Sequence, residues 1–308
     1  MSETGREARA ARESVLAVRA TDRTGIVVTG KDRTSWLNGL VTCDLTKLGP
    51  GGAAYGLVVE KKGRIQTDFF AVPGRGSDAL ALAVPRGLEA AIVETLDHYL
   101  IMEDVELEQV DLVVWHLHGP KAAAVAAALE VPFGGAVDLL GLGGAVVAAP
   151  ASDSGGLDER VAAAVSGAGG LVADDASWEA VRIERGVPRF GVEVDATLYP
   201  QEAALEKLAV SFDKGCYLGQ EVVYMLENRG HAKRKLVPLD VDGDAPPGKG
   251  EPVTTPEGVV VGDVKSSAVG PITGRPVAIA LVKWAQAKPG TELRVGDRVA
   301  RVRASDRA

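Results

Sequence analysis

The sequence predicts an α+β fold in which layered strand-and-helix units are followed by a small C-terminal β-barrel. Three observations lead there. The stretch from Gly25 to Leu100 runs strand, helix, three strands, helix, an order that suits an α+β layer. A second, unlike-looking stretch from Asp111 onward repeats the mixture of strands and helices, which suggests an internal duplication. After Arg229 the texture changes to short strands split by Pro, Gly and Asp turns over roughly 75 residues, the pattern of a small barrel or sandwich. At 308 residues two domains are expected, and the boundary falls near His231, giving 1–230 and 231–308.

The elements follow in order. Residues 1–20 are charged and alanine-rich and read as a loose arm. "GIVVTG" (25–30) is a short strand, and "KDRTSWLNGL" is a helix with Trp36, Leu37 and Leu40 at helical spacing. "AAYGLVVE" and "RIQTDFFAV" make a hairpin across a Lys-Lys-Gly turn. The strand "ALALAVP" leads into "RGLEAAIVETLDHYL", apolar at 88, 92, 96 and 100. "DLVVWHLHG" is a strand, "PKAAAVAAALE" a helix with proline in its first turn, and "GAVVAAP" a strand. "DERVAAAVSGAG" and "DDASWEAVRIERG" are helices, the second begun by Asp or Ser and stopped by glycine. "RKLVPLDVDG", "EPVTTPEGVVVGDVKSSA", "RPVAIALVK" and "TELRVGDRVARVR" supply the barrel strands.

Composition narrows the function. Net charge is −8, so a broad nucleic-acid face is not expected. The apolar runs are short and broken by glycine, so no membrane span is expected. With no apolar N-terminal signal and only two cysteines, the expectation is a reducing cytoplasm rather than secretion. "GDAPPGKG" lacks the Ser/Thr and the following helix of a P-loop, and "GRGSDA" precedes a strand, so both are turns. His116 and His118 share one strand face without a third ligand nearby, and no metal site is expected. No nucleophile elbow is present.

Cys216 stands apart. Lys214 lies two residues back, and "GQEVVYML" starts a helix just after it, both of which favour a thiolate. The competing reading is a small buried hydrophobe, the commonest fate of a free cysteine. Cys43, in "LVTCDL", has no such neighbours and reads as packing.

"DKGCYLGQE" resembles the K-G-C-Y-x-G-Q-E signature of the YgfZ family of folate-binding, iron–sulfur-cluster assembly proteins, relatives of the glycine-cleavage T-protein (aminomethyltransferase). "VTGKDRTSWLNGLVTCDLTKL", "GRIQTDFF", "VRIERGVPRFGVEV" and "AIALVK" are similar to further family segments in the same order, so the likeness spans nearly the whole chain. It implies an aminomethyltransferase-like folate-binding module, tetrahydrofolate or a derivative as cofactor, and iron–sulfur client enzymes or assembly factors as partners.

Residue by residue, the resemblance implies that Glu184 takes the pterin edge, whose adjacent N–H donors suit a carboxylate. Asp68 matches the acid near the folate's reactive nitrogens. Its neighbour Thr67 stands where T-proteins commonly carry a second Asp. Tyr55, Tyr199 and Trp178 are candidates for the aromatic wall. The run "NRGHAKRK", with Arg229 foremost, is the candidate for the glutamate tail. Lys214 is grouped with these cofactor-binding residues, and Cys216 and Asp68 are the expected reactive pair. Cys43 stands where the family usually carries asparagine or a small residue, while Asp44 is retained to close the helix or touch the ligand. The implied function is support of iron–sulfur enzymes, including those that thiolate tRNA. The alternative is an aminomethyltransferase of glycine cleavage.

Overall fold

The computed structural model describes residues 3–304. The chain opens with helix α1 (Glu3–Glu13), not a loose arm. Ala8, Ala10 and Ala11 are buried, and the helix lies against the first strand and a later helix. Small side chains let it approach closely, a tertiary gain that its charged composition conceals.

Strands β1 (Leu16–Arg19) and β2 (Arg23–Thr29) follow, then helix α2 (Arg33–Asn38). Next come β3 (Ala54–Val59), β4 (Ile65–Pro73) and β5 (Leu80–Pro85), helix α3 (Glu89–Asp97) and β6 (Glu106–Val110). Five of these strands form an antiparallel sheet in the order β3-β4-β5-β2-β6. Period-two alternation splits its side chains cleanly. Val58, Phe69, Ala71, Leu80 and Leu82 face outward under Trp36 and Leu37 of α2 and Ile92 and Leu96 of α3. Tyr55, Leu57, Phe70, Val72 and Ala81 face inward.

The second sheet is built likewise from β7 (Leu112–His118), helix α4 (Ala122–Ala128), β8 (Phe133–Ala136), β9 (Gly144–Pro150), helix α5 (Leu157–Gly167) and β10 (Leu171–Ala173). Its order is β10-β1-β7-β9-β8. The N-terminal strand β1 therefore fills the place beside β7 that β6 fills beside β2. Trp115, Leu117 and Val147 pack outward on α4 and α5, and Leu112, Val114 and Val146 pack inward on the first sheet. The result is four layers, helix–sheet–sheet–helix. Strands β6, β8 and β10 escape the sequence pattern because they are short edge strands with little or no alternation to read.

Helix α6 (Asp175–Glu184) is capped as its sequence predicts: the Asp174 side chain accepts from the Ser177 N–H, and Gly186 exits at φ +65°. An irregular stretch carries the short α7 (Glu206–Ala209) and α8 (Gln220–Asn228). Six strands then close a barrel: β11 (Arg234–Val241), β12 (Pro252–Thr254), β13 (Val260–Val269), β14 (Pro276–Lys283), β15 (Glu292–Val295) and β16 (Arg298–Val302). Val253, Val264, Ala280 and Leu293 fill its interior. Leu236, Val277, Ile279 and Leu281 instead join the core between the two sheets. Among the described residues no helix is long and apolar enough to cross a membrane.

Candidate functional site

A cavity of about 250 Å³ opens between β1–β2, the inner faces of the two sheets and α6. Asp68, on β4, lines it and is buried. One of its carboxylate oxygens, Oδ2, accepts from Tyr55 Oη at 2.8 Å and from Arg23 Nη2 at 2.8 Å. The other, Oδ1, is buried with no partner among the described residues. Tyr55 and Asp68, both singled out in the sequence, are therefore brought together on adjacent strands. Thr67 is also buried, and its hydroxyl donates to the Asp68 backbone carbonyl.

Aromatic rings run through this region. Phe70 lies 5.0 Å from Tyr55 and 4.5 Å from His116. His118 stacks on Trp178 at 4.5 Å and 7°. Burial pushes the His118 imidazole down to about 4 and holds His116 well below its ordinary value, with Arg23 adding to the effect on His116. Trp178 lines the cavity wall. The facing wall is ionic. Arg182 donates to Glu179 and to both Glu193 oxygens, at 3.0 and 3.1 Å, and Arg189 Nη1 donates to Glu179 at 2.8 Å.

Glu184 is placed elsewhere. Its carboxylate accepts from the Ile272 and Thr273 N–H groups at 2.9 and 2.8 Å and from the Thr273 hydroxyl at 2.8 Å. All three donors belong to the barrel's β13–β14 turn, so this carboxylate locks α6 to the barrel rather than lining the Asp68 cavity. The reason is helical phase: Glu179 and Arg182 point into the cavity, and Glu184 falls on the side of α6 that meets the barrel.

The cysteine segment forms a pedestal. Lys214 Nζ donates to the Asn38, Val41 and Cys43 carbonyls at 2.6, 2.9 and 2.7 Å. Burial pushes this ammonium down to about 8. Those bonds commit it to the turn after α2. Tyr217 is buried in the inter-sheet core, and the Leu218 N–H donates to the Gly39 carbonyl. Gly219, at φ +76°, passes so close to the Glu60 carbonyl that a Cβ would lie 2.5 Å from it. Amid these ties Cys216 is exposed, just before α8, and lines neither this cavity nor the larger one described below. Cys43 is buried against Gly56 and Phe69, and desolvation pushes its thiol up to about 12. Asp44 caps a short 3₁₀ turn through Thr46.

Tyr199 lies under the Arg64 guanidinium at 5.3 Å, outside both cavities. Arg229 is exposed at the end of α8. From the basic run, Lys235 reaches a second cavity of about 600 Å³ between sandwich and barrel, where it pairs with Glu206 at 2.7 Å. Among the described residues no cluster of His, Cys, Asp and Glu is placed to hold a metal. Sequence reasoning missed Arg23, Glu179 and Arg182 as cavity residues. Each reads as a surface charge, yet Arg23 is buried on Asp68 of β4, Arg182 is buried on Glu193, and Glu179 is half-buried between Arg182 and Arg189.

The chain matches the GCVT N-terminal domain over residues 1–133 and the glycine cleavage T-protein C-terminal barrel domain over residues 234–305. These matches bracket the sandwich and the barrel, and the chain belongs to the GcvT-like family. Among its relatives, an aminomethyltransferase of Streptomyces coelicolor is 28% identical over 87% of this chain and 78% of its own length. A tRNA-modifying protein YgfZ of Vibrio vulnificus is 29% identical over 73% of this chain and 70% of its own. The aminomethyltransferase T of the Bartonella henselae glycine cleavage system superposes with a TM-score of 0.81 at 20% identity, covering 99% of this chain and 89% of that one, and so shares the fold.

Proposed function

We propose that this protein binds tetrahydrofolate in the cavity lined by Asp68 and acts as a YgfZ-like factor supporting iron–sulfur enzymes, with Cys216 as its working thiol. The observation that carries the reading is the pedestal. Lys214, Tyr217 and Gly219 are tied into the fold, and the thiol between them is left exposed. A rigidly presented, accessible thiol suits attack on, or contact with, a partner's sulfur or cluster better than it suits packing. For the ligand, Asp68 offers a fixed acceptor to ring N–H groups, and Tyr55, Phe70 and Trp178 offer ring faces. The volume near Asp68 suits the bicyclic head, and the larger cavity shares Pro188 with it. Thr67 removes the second acid of the T-protein pair, which weighs against aminomethyl transfer.

Two measurements test this together. Calorimetric titration with tetrahydrofolate gives saturable binding, weakened about tenfold or more in Asp68→Asn through loss of a charged acceptor, about 1.4 kcal/mol. In a strain lacking the protein, Cys216→Ala fails to restore iron–sulfur enzyme activity while folding normally. A mute titration removes the folate, and full rescue by Cys216→Ala removes the thiol. Turnover of an aminomethyl-lipoyl carrier protein moves the assignment to aminomethyltransferase.

A further inference from the structure

We infer that Arg23 sets the charge of the ligand this cavity accepts: it selects neutral folate forms over forms carrying a cationic one-carbon unit. The inference rests on the folate reading above and narrows it. A buried Asp68 by itself would attract a cation strongly. Arg23 cancels that attraction. Its Nη2 lies 2.8 Å from Asp68 Oδ2, its Nη1 donates to the Ala83 carbonyl at 3.3 Å, and its guanidinium rests 5.1 Å from the centre of the Phe70 ring. Both partners of the pair are buried. Swinging the guanidinium aside would strand a buried charge, which is strongly disfavoured.

The remaining lining supplies no spare negative charge at depth. Glu179 is matched by Arg182 and Arg189, and Arg189 also lies 3.9 Å from Asp22. Asp175 is exposed, and Arg19 pairs with Asp158. At the carboxylate itself, Oδ2 already serves two donors and Oδ1 has no partner among the described residues. One open acceptor suits a neutral N–H group. A cation brought to that carboxylate meets a fixed guanidinium a few ångströms away, where water screens little and like charges repel.

The test uses two folates at the same carbon oxidation level. 5-Formyltetrahydrofolate is neutral at its one-carbon unit, and 5,10-methenyltetrahydrofolate is its dehydrated cation. Each is titrated against the full-length protein in mildly acidic buffer, with rapid mixing so that the cation is read before it hydrolyses. The expected result is a preference of about tenfold or more for the formyl form, and a smaller ratio in Arg23→Gln, which can keep a hydrogen bond without the charge. Equal or tighter binding of the methenyl cation by the unmodified protein overturns the inference while leaving folate binding intact. If neither folate binds, the folate reading falls and the inference falls with it. Should Arg23→Gln fail to fold, the unmodified protein's ratio still decides.

Discussion

Replacing Glu184 by glutamine separates two roles for one carboxylate: a contact to a pterin, or a clamp between helix α6 and the barrel. In the structure the carboxylate accepts three hydrogen bonds, from the Ile272 N–H at 2.9 Å and from the Thr273 N–H and hydroxyl at 2.8 Å each. Hydrogen bonds to a charged acceptor contribute about 1.5–3 kcal/mol each, and a buried donor left unmatched costs about 1–3 kcal/mol. Glutamine keeps one carbonyl oxygen, able to serve the two Thr273 donors, but turns an NH₂ toward the Ile272 N–H. One bond is lost and two donors face each other, so Glu184→Gln is expected to lower stability by about 2–4 kcal/mol. Gly270→Ala is expected to act in the same direction, because a Cβ there would lie 2.4 Å from Glu184 Oε1 and push the carboxylate off its donors. Urea unfolding followed by circular dichroism reads the loss, and titration with tetrahydrofolate reads any effect on the ligand. A loss below about 1 kcal/mol together with clearly weakened folate binding would refute the clamp and return Glu184 to the pterin.

Two further outcomes follow from the buried groups. The folded protein should react with a thiol reagent at one cysteine, the exposed Cys216, and at both only after denaturation, because the Cys43 thiol is buried and held near 12; two fast thiols in the native state would contradict this. His118 is held neutral to about 4 against an ordinary 6.5, so the unfolded chain binds the extra proton first as pH falls. Stability contributed by this residue is therefore lost between about pH 6.5 and 4, at most roughly 3 kcal/mol. His118→Phe, which keeps a ring against Trp178, should flatten that slope in pH-dependent unfolding. An unchanged slope would place the acid sensitivity elsewhere, His116 being the next group to examine.

Much of this protein is written in local patterns. The hairpin β3–β4 was legible because β-rich runs flank a Lys-Lys-Gly turn, and α6 because an Asp cap and a following glycine bound it. The barrel was legible because Pro, Gly and Asp turns recur between short strands. Asp68 and Tyr55 could be nominated from segments that resemble those of a known family. These features survive as sequence because they depend on spacings of a few residues. The edge strands β6, β8 and β10 and the opening helix α1 were not legible, since their stability comes from the surface they dock against.

The chain by itself determined the α+β layers, the C-terminal barrel, and Cys216 as the residue to question. Tertiary structure alone decided how the charges are spent. Lys214 holds three carbonyls of the turn after α2, Glu184 grips the barrel turn, and Arg23 sits on Asp68 across 45 residues of sequence. The physical reason is that an ionic group's role depends on which opposite charge, donor or acceptor lies within about 3 Å of it. That distance is fixed by strand register and helix phase, not by proximity along the chain.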